Sequence, residues 1–101
     1  MNPMPKTHPY RSQKLRDAAK LVPHCMNPDC HAVNDGGVVL AHSNHLRDGK
    51  GRGLKAHDVP CYLCMDCHNE LDTRPNQDTE RMRLETVYDS TVWCLQEGVL
   101  K

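Results

Sequence analysis

The segment CMDCHNELD, from Cys64 to Asp72, decides how this chain is expected to fold. It places two cysteines, a histidine and acidic side chains within nine residues. Cysteine thiolates and histidine nitrogens are common zinc ligands in proteins. Two interpretations are open at this point: the segment only holds a structural metal, or its histidine also takes part in chemistry.

A second pair of cysteines lies upstream of this segment. Cys25-x4-Cys30 and Cys64-x2-Cys67 together supply four thiolates, which suit a closed, tetrahedral, structural zinc site. Cys61 leaves the register open, because Cys61-x2-Cys64 has the same spacing. We assign Cys64 and Cys67 as ligands, since the second pair should lie where the following helix begins.

Three other residues of the same types need an interpretation. His24 and His31 flank the first cysteine pair and are alternative zinc ligands, although ordinary loop histidines are the simpler reading. Cys94 falls within a predicted helix, where a free cysteine is expected to be a buried core thiol.

A metal would also compensate for a small core. The chain has 101 residues, with one Trp, three Tyr and no Phe, and domains of this size often need a metal or disulfides. The N-terminal sequence has no apolar run typical of a signal peptide, and no stretch approaches transmembrane length. We therefore expect a cytoplasmic protein, in which clustered Cys and His residues favour metal binding over disulfides.

The charge is unevenly distributed, although it sums to zero. Residues 1–24 carry a balance of +4 (five basic, one acidic), and residues 66–101 carry −4 (eight acidic, four basic). The glycines of a central loop, GKGRG, would let backbone amides approach a phosphate. We expect DNA phosphate contacts from three side chains of this loop, which are Lys50, Arg52 and Lys55. An ordinary solvated loop is the alternative.

The N-terminal half is predicted to contain a helix and a hairpin. Residues 1–11 include three prolines and are expected to form a flexible arm. Ser12 can cap a helix, whose apolar residues follow at helical spacing: Leu15, Ala18, Ala19 and Val22. The NDGG turn predicts a hairpin with one strand near His31–Asn34 and the other near Val38–His42.

The C-terminal half is predicted to be helical. Pro75 should end the helix that begins near Cys64. A final helix, capped by Asp78 or Thr79 and stopped by Gly98, should follow. The predicted members of its apolar side are Met82, Val87, Tyr88, Val92 and Leu95.

The helix after Cys64 is expected to present a second functional face. Cys67 and Leu71 are four residues apart and should face the metal and the core, whereas His68 and Asp72 share a face turned by about 100°. A histidine and a carboxylate at this spacing can bind one divalent ion. A surface His–Asp hydrogen bond, or pairing of Asp72 with Arg74, is the alternative.

The motifs CMNPDC, VVLAHSNH and CMDCHNELD, in this order, resemble the HNH (ββα-metal) nucleases built on a zinc-stabilised treble clef. Within these nucleases, the chain more closely resembles the small predicted nucleases of lambdoid phages and prophages, the YbcO-like group. Three further segments fit that group: LRDAAKLVPHC, GKGRGLKAHD and TVWCLQEGVLK. The resemblance covers roughly residues 12–100.

The resemblance implies a catalytic site. His42, at the end of a predicted strand, takes the place of the general base, and His68 takes that of a metal ligand with Asp72 as its partner. The middle position of the HNH motif falls near His57 or Asp58. Many HNH enzymes have a metal ligand just before the general base, where this chain has Ala41. The candidates to complete the ligand set are His42 itself, His45 and Asp58.

We therefore expect a single HNH-like zinc-containing domain over residues 12–101, with a small α+β, treble-clef fold and flanking helices. Its expected activity is hydrolysis of DNA phosphodiesters, in phage recombination or DNA processing within a bacterial host. The expected cofactors are one structural Zn²⁺ and one catalytic ion, which is Mg²⁺, Mn²⁺, Ni²⁺ or Zn²⁺. A non-catalytic zinc module that binds nucleic acid or protein is one rival, favoured by Ala41. A thiol redox or metal-sensing protein is the other.

Overall fold

The structure is a computed structural model that describes residues 10–42 and 57–100. These residues form three helices and a two-stranded antiparallel sheet, which is the small α+β architecture predicted from the sequence. The elements are α1 (Gln13–Ala18), β1 (Val39–Leu40), β2 (Tyr62–Leu63), α2 (Met65–Thr73) and α3 (Gln77–Gln96). In the sheet, Val39 lies opposite Leu63 and Leu40 lies opposite Tyr62.

Strand β2 continues directly into α2, because Cys64 is the N-cap residue of that helix. Helix α2 ends at Thr73, two residues before Pro75, as predicted. The chain order is therefore strand, strand, helix. Since the strands are antiparallel, the end of β1 and the start of β2 are neighbours, and this brings His42 close to Asp58.

The predicted hairpin between His31–Asn34 and Val38–His42 is wrong. Within the first segment only Val33 forms a bridge, and its partner is His24 rather than β1. The Asn34 side chain explains the difference, because its amide donates to the carbonyls of Ala19 and Val22, at 3.0 and 2.7 Å. The turn is thereby attached to the end of the first helical segment, and β1 pairs with β2 instead.

Helix α1 forms as the sequence predicts. The Ser12 hydroxyl accepts a hydrogen bond from the Leu15 amide at 3.1 Å, which satisfies one unpaired donor of the first turn. The four apolar residues that were predicted to share a face are all buried: Leu15, Ala18, Ala19 and Val22.

Strand β2 divides the core into two parts, because successive residues of a strand face opposite sides. Tyr62 packs with the apolar face of α1 and with Cys94, whereas Leu63 packs with Leu71 and the cysteines Cys25 and Cys61. The Tyr62 hydroxyl donates to the Leu15 carbonyl at 2.7 Å, so this buried phenol is satisfied.

The apolar side predicted for α3 is partly wrong. Met82 and Val87 pack against the core, but Val92, Leu95 and Tyr88 are 36%, 53% and 71% exposed. The face of α3 that packs inward is mostly polar and consists of Thr79, Arg83, Thr86, Ser90 and Cys94.

Hydrogen bonds on the inward face of α3 explain this inversion. The Ser90 hydroxyl accepts from the Tyr62 amide of β2 at 3.1 Å. The Thr86 hydroxyl donates to the Met82 carbonyl at 2.7 Å within the helix. Because buried polar groups are tolerated when they are hydrogen-bonded, the helix can turn its polar side to the sheet.

The ends of α3 are defined by Asn76 and Gly98. The cap predicted at Asp78 or Thr79 is wrong by two or three residues: Asn76 is the N-cap, and it exchanges hydrogen bonds with Thr79 in a capping box. The predicted stop at Gly98 is confirmed, since this glycine has a φ of +76° just beyond the helix.

The predicted N-terminal arm and the predicted DNA-binding residues remain to be placed. Tyr10 and Arg11, predicted to belong to the flexible arm, contact the domain, because the Tyr10 carbonyl accepts from the Asp58 amide at 2.8 Å. The rest of the arm, His45 and the loop residues Lys50, Arg52 and Lys55 lie outside the described residues. Across residues 10–42 and 57–100, no helix is both long and apolar enough to cross a membrane.

Candidate metal centre and histidine–aspartate pair

Four cysteine sulfurs meet between the turn from Cys25 to Cys30, here called the first knuckle, and the start of α2. The Sγ atoms of Cys25, Cys30, Cys64 and Cys67 all lie within 4.8 Å of one another, and the Cys30–Cys64 pair is 3.9 Å apart. A tetrahedral ion with Zn–S bonds of about 2.3 Å requires sulfurs about 3.8 Å apart. The cluster therefore has the size and chemistry to hold a metal ion such as zinc.

Backbone hydrogen bonds hold the first knuckle against the sheet. The Cys25 amide donates to Ala32 at 2.8 Å, and the Cys30 amide donates to Asn27 at 2.9 Å, which closes the turn between the two thiols. The Met26 amide donates to the Tyr62 carbonyl at 2.9 Å, so the knuckle is attached to β2. The thiols at the start of α2 are thereby brought to those of the knuckle.

The geometry resolves the choice between Cys61 and Cys67. Cys61 lies outside the cluster, in the core beside Leu63, and burial raises the pKa of its thiol to about 12. Cys94 is also buried, as predicted, and burial raises its pKa. Both residues are therefore neutral core thiols at physiological pH, and neither supplies a metal ligand.

The clustered thiols influence one another's ionisation. Burial raises the pKa of Cys25 and of Cys67. Burial also opposes ionisation of Cys64, but hydrogen bonds from the Cys67 amide and from neighbouring thiols lower its pKa. Four thiolates this close would repel one another, so ionisation of the whole set requires a cation at its centre.

The two flanking histidines stay outside the cluster. The ring nitrogens of His24 and His31 do not belong to the cluster of possible metal ligands. The two rings contact each other at a centroid distance of 4.8 Å. A ring nitrogen of His24 lies 2.8 Å from the Cys25 carbonyl. The simpler prediction for these residues, ordinary loop histidines, agrees with this arrangement.

One residue that supports the cluster was missed in the sequence. The Asn27 side chain donates to the Cys67 Sγ atom at 3.4 Å, and its oxygen accepts from the Asp29 amide at 3.1 Å. Such second contacts orient metal ligands and stabilise their negative charge. The Asn-Pro-Asp sequence indicated a turn, but nothing in it indicated a contact to a sulfur forty residues away.

A histidine–aspartate pair lies at the loop end of the two strands. The His42 Nε2 atom is 2.7 Å from the Asp58 Oδ1 atom. The His42 side chain is 15% exposed, whereas the Asp58 side chain is completely buried. His42 is therefore anchored from inside the protein and remains partly accessible from outside.

Residues from the N-terminal segment surround the Asp58 carboxylate. The Ser12 amide and the Arg16 guanidinium donate to Oδ2 at 2.8 and 2.7 Å, and Arg11 lies 3.6 Å from Oδ1. Burial alone would raise the pKa of Asp58, but these hydrogen bonds, the bond from His42 and the charge of Arg16 hold it below its ordinary value. Asp58 is thus an ionised carboxylate at neutral pH.

This environment bears on the roles considered for Asp58. Its two oxygens already accept hydrogen bonds from groups of the protein, which leaves less capacity for a metal ion. An ionised carboxylate next to His42 Nε2 requires the proton on that nitrogen. The neutral imidazole then has its free lone pair on Nδ1. The geometry therefore suits Asp58 as the residue that orients His42, rather than as a metal ligand.

The contribution of Arg16 was also missed in the sequence. Ser12 reaches Asp58 through its backbone amide and Arg16 through its guanidinium, so side-chain spacing in this segment gave no signal of a shared target. The target itself, Asp58, is 42 residues further along the chain from Arg16. Its identity depends on how α1 packs beside the sheet.

His68 and Asp72 lie one turn apart on α2, as helical spacing predicts, with side chains that are 25% and 44% exposed. The His68 Nδ1 atom is 3.6 Å from the Asp72 Oδ2 atom, which is too long for a hydrogen bond. This nitrogen is buried and has no hydrogen-bond partner in the described parts of the chain. An unsatisfied nitrogen beside a carboxylate fits two ligands of one divalent ion.

Further ligands for such an ion are not assembled within the described residues. Between positions 10–42 and 57–100, the four cysteines are the group of three or more possible ligands that come together. Ala41, where many HNH enzymes have a ligand, is buried and lacks a donor atom. His45 lies outside these ranges, so its predicted role as a ligand stays a prediction.

A groove of about 670 Å³ lies beside the cysteine cluster rather than at His42. Its lining includes Cys30, Cys67 and three acidic residues, Asp29, Glu70 and Asp78, together with Arg74. Three carboxylates against one guanidinium make an unfavourable site for a phosphate. This groove is therefore poorly suited to bind a phosphodiester.

None of the three comparisons with known proteins finds a match: no family model fits the sequence, no curated protein aligns with it, and no solved structure resembles it significantly.

The cysteine assignment leads to a direct test. The purified protein is expected to contain one zinc per chain, and Cys64→Ser should abolish zinc retention and largely unfold the domain, because a structural metal contributes directly to folding. Zinc content by elemental analysis and far-UV circular dichroism are the measurements. Cys61→Ala is the matched control, since it removes a buried thiol outside the cluster. Loss of zinc from that control would overturn the assignment, as would a folded, metal-free wild-type protein.

Proposed function

We propose that the protein is a metal-dependent DNA endonuclease of the HNH type. The observation that carries this proposal is the His42–Asp58 pair, which lies at the end of the two antiparallel strands. Strand β2 continues into α2, and α2 bears His68 and Asp72. A strand–strand–helix order with the base on the first strand and a metal ligand on the helix is what the resemblance to HNH enzymes implies. The treble-clef fold with a structural zinc belongs to the same proposal.

His42 acts as the general base. The Nε2–H group of His42 donates a hydrogen bond to the Asp58 carboxylate, and the Nδ1 lone pair accepts a proton from a water molecule. The water oxygen attacks the phosphorus, and the bond from phosphorus to the leaving oxygen breaks. Asp58 stabilises the imidazolium that forms when His42 takes up the proton. The ionised state of Asp58 makes it suitable for this role.

His68 and Asp72 would hold the catalytic divalent ion. When bound, such an ion stabilises the negative charge that develops on the phosphate and on the leaving oxygen. The buried, unsatisfied Nδ1 atom of His68 supports this role, because a nitrogen in that position is costly unless it finds a partner.

The expected substrate is DNA. The loop that joins the two strands contains Lys50, Arg52 and Lys55, and it begins directly after His42. Basic side chains in a segment that follows the general base in sequence favour binding to a phosphate backbone. Arg11 and Arg16, next to Asp58, add positive charge near His42.

A zinc module that binds nucleic acid without cleaving it is the second candidate. The observation that favours it is the small number of ligands for a catalytic ion: the Ala41 side chain offers none, and among the described residues the proposed ligands are His68 and Asp72 alone. This candidate predicts DNA binding that does not depend on His42 and no cleavage with any divalent ion.

The base can be tested by removing its side chain. His42→Ala should reduce cleavage of plasmid or branched DNA by about 10²- to 10⁴-fold, the usual contribution of general-base assistance, while the protein stays folded and keeps its metal content and DNA binding. Its thermal stability should fall modestly, because the buried Asp58 carboxylate loses one hydrogen-bond partner. His31→Asn is the control, because His31 is exposed and Asn tolerates its φ of +55°. Cleavage by a folded His42→Ala protein at the wild-type rate would exclude His42 from the mechanism.

The ion site predicts a different phenotype for α2. His68→Ala and Asp72→Ala should each raise the concentration of Mg²⁺ or Mn²⁺ that gives half-maximal cleavage, by roughly tenfold or more, without loss of the structural zinc. Asn69→Ala, an exposed change on the same helix, should leave this concentration unchanged. An identical divalent-ion response in all three variants would place the catalytic ion elsewhere.

The orientation of His42 can be measured independently of cleavage. At a pH that leaves the imidazole neutral, ¹⁵N NMR should show the proton of His42 on Nε2, and Asp58→Asn should shift this tautomer balance. Loss of the carboxylate from a comparable histidine–aspartate pair costs about 10⁴-fold in rate, so cleavage should fall by 10²-fold or more. Arg16→Met should give a smaller change in the same direction.

The matched control for Arg16 is Lys14→Met, which removes an exposed charge from the same helix. It should affect neither the tautomer nor the rate. If His42 has its proton on Nδ1 in the wild type, Asp58 does not orient it in the proposed way. If instead the tautomer is as expected but the wild-type protein cleaves no DNA with any divalent ion, the binding module is favoured.

A further inference from the structure

The outer face of α3 is more apolar than its inner face. Leu84, Tyr88, Val92 and Leu95 are 54%, 71%, 36% and 53% exposed, although the helix buries a row of polar residues against the sheet. Single exposed apolar residues are common, but four along one side of a helix indicate an interaction surface.

Three of these apolar residues, together with Thr91, form a row whose spacing is typical of helix pairing. Leu84, Tyr88, Thr91 and Leu95 are separated by four, three and four residues, which is the alternation of a and d positions in a coiled coil. Arg81 continues the same row by three residues toward the N-terminus. The row therefore extends through most of a helix that is about 30 Å long.

We propose that this row, the α3 seam (Arg81, Leu84, Tyr88, Thr91 and Leu95), forms a homodimer with the α3 seam of a second copy in an antiparallel arrangement. In such a pair, a positions pack against d positions of the other helix. Leu84 then lies against Leu95 of the second copy, and Tyr88 lies against its Thr91. The same contacts occur twice about a two-fold axis, as in most homodimers.

Charge complementarity selects a second copy in the antiparallel direction. The register that joins Leu84 to Leu95 places Arg81 opposite Gly98 of the second copy, at the C-terminal end of its α3. That helix has no basic residue in its last turn, and Glu97 is its C-cap. A guanidinium there would interact favourably with the free carbonyls and with Glu97. A parallel pair would instead bring the two Arg81 side chains together.

The size of the seam sets the expected strength. One helical face about 30 Å long and about 10 Å wide is smaller than the roughly 800 Å² that each partner buries in a standard stable complex. The dimer should therefore be a weak one, with dissociation in the micromolar range or above. The zero net charge of the chain removes long-range repulsion between copies.

Sedimentation velocity of the zinc-loaded full chain from about 1 µM to 1 mM tests the pairing. The wild type should shift from monomer to dimer across this range, and Leu84→Gln with Leu95→Gln should raise the dissociation constant more than tenfold. Leu21→Gln is the matched control, because Leu21 is 72% exposed and lies outside α3. Since all of these residues are exposed, melting temperatures at 1 µM should remain close to the wild-type value.

A charge exchange tests the antiparallel register. Arg81→Glu and Glu97→Arg should each weaken the dimer several-fold, and the double variant should restore wild-type affinity. A protein that stays monomeric up to 1 mM would overturn the proposal, as would a dimer that is insensitive to the two leucine changes. A dimer that is weakened by the leucine changes but is not restored by the charge exchange would overturn the antiparallel register.

Discussion

The four-thiol cluster is the constraint on which the rest of this small protein depends. It connects the knuckle at Cys25 and Cys30 to the first turn of α2. The knuckle itself belongs to no helix or strand of the fold. The two halves of the core, on either side of β2, are each built from few apolar residues. A metal ion held by four thiolates would supply the stability that such a core lacks.

The electrostatic contacts of Asp58 are a second constraint on the structure. A buried carboxylate is costly unless hydrogen bonds and cations compensate it, and Asp58 obtains these from Ser12, Arg16 and His42. The compensation attaches α1 to the loop end of the sheet. It also fixes the orientation of the His42 ring, whose Nε2 atom faces Asp58. The contacts that stabilise the buried carboxylate therefore leave Nδ1 as the nitrogen of His42 with a free lone pair.

Local spacing was sufficient to predict part of this arrangement. The cysteine pairs, the Ser12 cap, the Gly98 stop and the shared face of His68 and Asp72 all depend on residues close in sequence. The rest depends on distant partners. The hairpin prediction failed because Asn34 binds carbonyls at the end of the first helical segment, and β1 pairs with residues more than twenty positions away. The role of Arg16 could not be predicted without knowing where Asp58 lies.

The orientation of α3 follows from the narrowness of the sheet. Among the described residues the sheet has two strands, and the outer edge of β2 is satisfied by other groups: the Ser90 hydroxyl accepts from the Tyr62 amide, and the Met26 amide donates to the Tyr62 carbonyl. Helix α3 therefore turns a polar side inward, where Ser90 satisfies the backbone of β2. A hydrophobicity pattern alone would assign this polar side to solvent. Its leucines and Tyr88 are left on the outside for the same reason. The exposed seam is thus a consequence of how a minimal sheet satisfies its backbone, and burying it against a second copy would recover apolar contacts that the monomer cannot make.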